Sequence, residues 1–278
     1  MKGLLKRAFT ALVFVIVMLG GLYGGRYSFV LLFAIITVLC LWEYYSMVLV
    51  RNTRRDYWRK LLGVGMGLVP FMLVSIVQLN LVNNPEDFVL LSSLLLSPFI
   101  FSAFIYELYM GSELPFTNIA FIVLGVIYIG VPFALLDFVA FNGEFFYADT
   151  VFGLLLMTWA NDTGAYLVGS QFGKHRLFER ISPKKTWEGT IGGIVITLII
   201  AFVLSLIFTE LQTIDWLILG LIIAIFGTLG DLVESMLKRS VHVKDSGNLL
   251  PGHGGVLDRF DGFIFVLPFV TAYLLWIR

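Results

Sequence analysis

Hydrophobic residues occupy the chain in long runs, and short polar segments separate these runs. A helix of roughly 20 apolar residues crosses a bilayer, and runs of about that length recur along the whole sequence. Because hydrocarbon offers no hydrogen-bond partner to an open backbone, each run is predicted to be an α-helix. The predicted spans lie near residues 8–25, 28–50, 61–82, 88–110, 116–140, 150–172, 189–210, 214–237 and 260–277.

The overall composition strengthens this interpretation. Of the 278 residues, 59% are hydrophobic and 14% are charged, whereas a soluble domain carries about a quarter charged residues. We therefore predict an all-α, polytopic integral membrane protein with about nine transmembrane helices. The first apolar run is expected to be a retained span, because the following "LYGGRYS" has no small-x-small cleavage site.

The positions of lysine and arginine predict the orientation. If nine spans alternate across the bilayer, all but two of the 19 basic residues fall on one side, the exceptions being Arg26 and Arg278. The positive-inside rule makes that side cytoplasmic and places the N-terminus there. We expect a multi-pass protein of the cytoplasmic membrane. The opposite loops carry the acidic residues Glu86, Asp87, Glu144, Asp149, Glu210 and Asp215.

The unusual polar residues are concentrated in the second half of the chain. We predict an N-terminal region, 1–140, of about five transmembrane helices. A C-terminal catalytic region, 141–278, follows with two cytoplasmic loops, 173–188 and 238–259. Long loops rich in glycine, proline, histidine and mixed charge suggest function.

Carboxylates recur at helical spacing near predicted membrane boundaries. Asp231 and Glu234 are three residues apart, as are Asp258 and Asp261, and Asp162 lies in the middle of the sixth span. Acidic residues in spans are rare and usually face a protein interior or a wet cavity. Their mutual repulsion is relieved by a divalent cation, and Mg²⁺ prefers carboxylate oxygens. These residues therefore predict a Mg²⁺ site, with a second ion as an alternative.

Structural alternatives stay open for these acids. Glu234 could pair with Lys238 four residues later, and the acids of the last span could cap its N-terminus. Two further acids are placed outside the site. Glu43 is expected to snorkel or to pair with the basic loop after it, and Asp137, near the outer end of its span, is expected to be solvated.

Basic residues and glycines stand beside the acids. The predicted anion-binding residues Lys238, Arg239, Lys244, His253 and Arg259 flank "PGHGG", whose glycines let backbone N–H groups approach a ligand. In "ISPKKTWEG", Ser182 and Pro183 predict a helix start. Lys184 and Lys185 would then lie at a helix N-terminus, which favours phosphate binding; contact with lipid headgroups is the alternative.

An acid cluster for Mg²⁺ beside a basic, glycine-rich segment suits phosphoryl or nucleotidyl transfer at the cytoplasmic face. A cation-coupled transporter that uses Asp162 and Asp231 is the alternative. The concentration of polar residues on one side argues against it. A homodimer is conceivable through the G-x-x-x-G pairs, which could equally serve internal packing. These pairs are Gly20/Gly24, Gly21/Gly25 and Gly189/Gly193.

The segment "SMLKRSVHVKDSGNLLPGHGGVLDRFD", from Ser235 to Asp261, resembles the signature of phosphatidate cytidylyltransferases, also called CDP-diacylglycerol synthases. That signature reads S-x-x-K-R, four residues, K-D, and later H-G-G-x-x-D-R-x-D. It is met here at Ser235, Lys238, Arg239, Lys244, Asp245, His253, Gly254, Gly255, Asp258, Arg259 and Asp261. "NDTGAY" and "SPKKTWEG" look like further blocks of the same family.

The resemblance implies transfer of CMP from CTP to phosphatidic acid, with Mg²⁺, at the bilayer and with no nucleic-acid partner. It implies metal binding by Asp162, Asp231, Asp258 and Asp261. The other implied catalytic residues are Lys238 and Lys244. The implied substrate-binding residues are Ser182, Lys184, Lys185, Arg239, His253, Gly254, Gly255 and Arg259.

Overall fold

The computed structural model describes the backbone of residues 2–49, 54–249 and 254–278, and side chains over 10–49, 56–249 and 254–278. Within these ranges a helix stands at each of the predicted positions. The helices are α1 Lys2–Tyr23, α2 Arg26–Val48, α3 Arg54–Gln78, α4 Pro85–Met110, α5 Pro115–Gly125, α6 Val131–Ala140, α7 Ala148–Phe172, α8 Trp187–Ile207, α9 Thr213–Ser240 and α10 Leu257–Ile277. A π-helical turn, Val126–Gly130, joins α5 to α6.

Local sequence explains several helix ends. Pro85 and Pro115 stand in the first turns of α4 and α5, where a missing N–H costs nothing. Gly111 ends α4 in the left-handed conformation, with φ 59°. At the start of α9, the side chains of Gln212 and Asp215 form a reciprocal capping box.

In the described part of the chain, seven helices are long and apolar enough to cross a membrane. They confirm the expectation of an all-α fold with many candidate membrane helices. The described apolar part of α1, Thr10–Tyr23, is shorter than a full span. The helix α7 is not one of the seven, and it carries the polar run Asn161–Asp162–Thr163 in its middle.

Two antiparallel hairpins interrupt the helices. β1 (Phe141–Asn142) pairs with β2 (Phe145–Phe146) between α6 and α7. β3 (Arg176–Phe178) pairs with β4 (Ser182–Thr186) between α7 and α8. The loop predicted at 173–188 is therefore an ordered hairpin that leads directly into α8.

The chain forms two compact units. The first comprises Met1–Asp137 and Asp245–Asp258. In its core, α2 packs against α5, and the hydroxyls of Tyr44 and Tyr45 donate to the carbonyls of Phe121 and Ile122 at 3.2 and 2.8 Å. These bonds satisfy the polar ends of two large buried rings.

The second unit comprises Phe138–Lys244 and Arg259–Arg278. Glycines let α7 and α8 approach closely in it. A methyl group on Gly164 would lie 3.3 Å from the Cα of Gly193, and one on Gly169 would lie 3.3 Å from the Cα of Gly189. Of the two roles that the sequence left open for the pair Gly189/Gly193, internal packing is therefore the one observed.

Candidate active site

Three carboxylates meet where α9 and α10 cross. Asp231 and Glu234 lie on one face of α9, Asp261 lies on α10, and one ligand oxygen from each falls within 4.8 Å of the others. Glycine makes this crossing tight, because a methyl group on Gly230 would lie only 3.2 Å from the Cα of Gly262. Short acidic side chains from two helices can therefore reach a shared point.

Two lysines are paired with the cluster. Lys185 of β4 forms an ion pair with Asp231, and Lys238 forms one with Glu234 across a turn of α9. The Glu234 side chain is fully buried. The pairing of Glu234 with Lys238 confirms the structural alternative that the sequence offered for Glu234. Asp261, in contrast, has acids as its electrostatic neighbours: Asp231, Glu234 and Asp162.

Asp162 comes from a third helix, α7. It lies within electrostatic range of Asp231, Lys185 and Arg259. The residue before it, Asn161, is buried and donates to the hydroxyl of Thr228 on α9 at 3.3 Å. This bond ties α7 to α9 beside the cluster. Among the described residues, the three that approach within 4.8 Å are Asp231, Glu234 and Asp261, so Asp162 stands outside that innermost group.

The predicted helix start at Ser182 is wrong. Residues Ser182–Thr186 form strand β4, and α8 begins at Trp187, where the Thr186 hydroxyl accepts from the N–H of Gly189 at 3.2 Å. Pro183 is tolerated because a two-stranded hairpin leaves unpaired N–H positions on its edges. Successive strand residues point to opposite faces. Accordingly, Lys185 turns to Asp231 and is half-buried, while Lys184 is exposed.

Asp258, the second residue of α10, accepts hydrogen bonds from two backbone N–H groups that precede the helix. Its carboxylate accepts from the N–H of Ser246 at 3.2 Å and from the N–H of Gly255 at 2.8 Å. Capping of this kind is the alternative that the sequence left open for Asp258. Metal binding by Asp258 stays a prediction.

The glycine pair of "PGHGG" has two structural functions. Gly254 has φ 84°, which side chains rarely adopt. Any Cβ on Gly255 would collide with the Ser246 hydroxyl and the Glu43 carboxylate. The Gly255 N–H donates to Asp258. The predicted binding of a ligand phosphate by this N–H group stays a prediction. His253 lies outside the described residues.

The remaining predicted basic residues are mostly exposed. Arg239 donates to the carbonyl of Val243 at 3.1 Å and so stabilises the turn after α9. Lys244 and Arg259 are exposed. Arg259 is near enough to Asp162 to interact with it electrostatically.

Both acids that the sequence placed outside the site are buried. Asp137 accepts from the Ser75 hydroxyl at 2.5 Å and is 0% exposed, so its expected solvation is wrong. Glu43 is 3% exposed and accepts hydrogen bonds from Ser246 and from Leu257, the first residue of α10. The side chains of Arg51, Arg54 and Arg55, in the basic loop expected to pair with it, lie outside the described residues. A carboxylate within an apolar span is a default functional candidate, and that signal alone could have pointed to Glu43.

The profile of the Cytidylyltransferase family matches residues 5–277, almost the whole chain. The chain belongs to this family. Its matches to individual relatives cover about half of the sequence. It is 51% identical over 125 residues to the phosphatidate cytidylyltransferase of Bacillus subtilis (strain 168), covering 45% of this chain and 46% of the relative.

Two staphylococcal cytidylyltransferases give a similar result. The phosphatidate cytidylyltransferase of Staphylococcus haemolyticus (strain JCSC1435) is 49% identical over 146 residues, which is 50% of this chain and 56% of the relative. That of Staphylococcus saprophyticus is 52% identical over 124 residues, covering 44% and 47%. The chain thus spans about half the length of the curated relatives it matches.

Proposed function

We propose that this chain is a phosphatidate cytidylyltransferase, a nucleotidyltransferase of phospholipid biosynthesis. It would transfer CMP from CTP to phosphatidic acid and release pyrophosphate. The observation that carries this proposal is the convergence of Asp231, Glu234 and Asp261 from two helices, in a chain of the cytidylyltransferase family. The named activity of the relatives agrees with it.

The donor set fits Mg²⁺. Three carboxylates of two helices supply hard oxygen ligands, and they are too few to fill an octahedron, so positions stay free for water and phosphate oxygens. When bound, Mg²⁺ would neutralise charge on the CTP phosphates and the leaving pyrophosphate. Asp162 and Asp258 stay predicted further ligands, and a second ion stays an alternative.

The chain's own residues would then orient two polyanions. The phosphate of phosphatidic acid is largely ionised near neutral pH, with a second pKa of about 6, so it needs no strong general base. We propose that Lys185 and Lys238, next to the acids, hold phosphate oxygens. The other predicted substrate-binding residues are Ser182, Lys184, Arg239, His253, Gly254, Gly255 and Arg259, and Lys244 stays a predicted catalytic residue.

The topology belongs to the same proposal. Nine spans, with the N-terminus in the cytoplasm, put the loops near 173–188 and 238–259 on the cytoplasmic side, where CTP is available. The lipid tails would stay among the helices of the cytoplasmic membrane. Region 141–278 is the proposed catalytic region. A homodimer stays a prediction; a methyl group on Gly20 would meet open space, whereas one on Gly21 would collide with Leu32.

The test uses membranes that contain the full chain. Labelled CTP and phosphatidic acid should yield a CDP-lipid and pyrophosphate only when Mg²⁺ is present. Reactions without phosphatidic acid, or with diacylglycerol in its place, are the controls. Cation-coupled uptake by sealed vesicles without CTP consumption would overturn the proposal in favour of a transporter.

A further inference from the structure

Glu43 is a buried acid of α2 whose partners come from the far end of the sequence. Its Oε2 atom accepts from the N–H of Leu257 at 2.8 Å and from the hydroxyl of Ser246 at 3.2 Å. Glu43, Ser246 and Leu257 are 3%, 4% and 0% exposed. All three belong to the first compact unit. A hydrogen bond to a buried carboxylate is stronger than a neutral one, since the bond is charge-assisted.

Glu43 and Asp258 hold the same segment at the same two places. Ser246 gives its hydroxyl to Glu43 and its N–H to Asp258. At the other end, Gly255 gives its N–H to Asp258 and Leu257 gives its N–H to Glu43. Two carboxylates thus hold Ser246 close to Gly255 and Leu257. We call this arrangement the carboxylate clamp.

Two glycines, Gly247 and Gly255, lie directly against the Glu43 carboxylate of the clamp. A Cβ on Gly247 would collide with the Glu43 carboxylate, and a Cβ on Gly255 would collide with both Glu43 and Ser246. The backbone at Gly247 and Gly255 can approach the Glu43 carboxylate this closely only because neither residue has a side chain. The Oε1 atom of Glu43 is buried and has no hydrogen-bond partner among the described residues. A buried carboxylate oxygen without a hydrogen bond lowers the stability of the folded protein, which favours a role for Glu43 other than stabilising the fold.

The clamp fixes the beginning of α10, the helix that contains Asp261 of the acid cluster. Leu257, the partner of Glu43, is the first residue of α10, and Asp261 lies one turn further along that helix. We propose that Glu43 is a positioning residue for cytidylyl transfer: it anchors the first turn of α10 and the backbone around Ser246. This inference rests on the proposed function, because it assigns Asp261 to Mg²⁺ and Gly254 and Gly255 to phosphate.

The experiment compares Glu43→Leu with Glu43→Gln in purified full-length protein. Leucine removes both hydrogen bonds. We expect kcat/KM for CTP to fall roughly 10- to 100-fold and the Mg²⁺ concentration for half-maximal rate to rise. Glutamine keeps one oxygen, which can accept from both the Leu257 N–H and the Ser246 hydroxyl as Oε2 of Glu43 does, so its kcat/KM should stay within about threefold of wild type.

Asp137 and Ser75 provide a matched control. They form a second buried carboxylate–serine pair in the same unit. Asp137→Leu should lower thermal stability without changing the Mg²⁺ requirement or the KM for CTP of the folded fraction. If Glu43→Leu is too unstable to purify, Ser246→Ala is compared with Ser75→Ala, and Gly247→Ala tests the clamp from the loop side.

The outcomes distinguish failure of the proposed function from failure of the positioning role of Glu43. An inactive wild-type protein would overturn the proposed function. An active wild type whose Glu43→Leu variant keeps its Mg²⁺ requirement and KM, or changes them no more than Asp137→Leu does, would overturn the positioning role alone. So would a glutamine variant as impaired as leucine. Hydrogen exchange tests the clamp without activity: the amides of 246–257 should exchange faster in Glu43→Leu than in Asp137→Leu.

Discussion

The acid cluster of the second unit differs instructively from a charged network in the first. There, Arg59 of α3 bonds Asp56 at 2.5 Å and also Glu107 of α4, and its Nη2 donates to the Ser112 hydroxyl at 2.7 Å. The side chains of Arg59, Asp56 and Glu107 are 5%, 8% and 1% exposed. Asn118 adds a donor to Glu107 at 3.1 Å.

The two regions use charge for different purposes. Around Arg59 both acids are buried and bonded to the guanidinium, and the partly buried Ser112 and Asn118 add further hydrogen bonds. At the cluster, Asp231 and Asp261 are partly exposed, and Asp261 has three acids as electrostatic neighbours. A surplus of negative charge that a solute can reach is a property of a cation site. A network in which each buried acid is bonded to a buried arginine is a property of the scaffold.

The largest expected effect comes from breaking the cluster. Asp261→Asn should abolish CDP-lipid synthesis, a loss on the order of a thousandfold or more. Thermal stability should be unchanged or slightly higher, since one like charge is removed. Asp87→Asn, at the exposed start of α4, is the control and should retain activity. Normal turnover of Asp261→Asn would remove Asp261 from the metal site.

Breaking the Arg59 network should lower the stability of the fold and leave the catalytic activity nearly unchanged. Arg59→Met leaves two buried acids without their cation, which should destabilise the fold by about 3–5 kcal/mol. Activity per folded molecule should change little. The measurement is thermal unfolding in detergent together with the specific activity of the folded fraction. A selective loss of CTP turnover at unchanged stability would show that Arg59 serves catalysis.

Magnesium itself should distinguish the two regions. A ligand at 100 times its Kd stabilises the folded state by about 2.7 kcal/mol. We expect Mg²⁺ to raise the unfolding temperature of the wild type and of Arg59→Met. It should leave that of Asp261→Asn nearly unchanged. Equal shifts in all three proteins would place the binding outside the cluster.

The smallest effects should come from the hairpin. Lys185→Gln should raise the KM for CTP about tenfold, because it removes a partly buried charge that faces Asp231. Lys184→Gln, on the exposed face of the same strand, should raise it only about two- to fivefold, as expected for a screened surface charge. The steady-state KM of each variant provides the check. Equal effects would mean that strand alternation does not select between the lysines.

Local patterns predicted much of this molecule. The positions of the long helices follow from runs of apolar residues, since each run must satisfy its own backbone in lipid. The shared face of Asp231 and Glu234 and the pair Glu234–Lys238 follow from three- and four-residue spacing on one helix. The start of α8 was misplaced because Ser-Pro can precede a helix or stand in an edge strand. Only pairing with Arg176–Phe178 distinguishes the two.

The sequence alone determined the membrane class, the family signature and which acids could act together, because these depend on residue type and short spacing. The tertiary structure decided which groups meet. Glu43 binds residues 203 and 214 positions away, Lys185 reaches Asp231 from a hairpin, and Asp261 of α10 meets Asp231 and Glu234 of α9. No spacing rule covers such contacts, because close packing of glycine-bearing helices and loop closure create them.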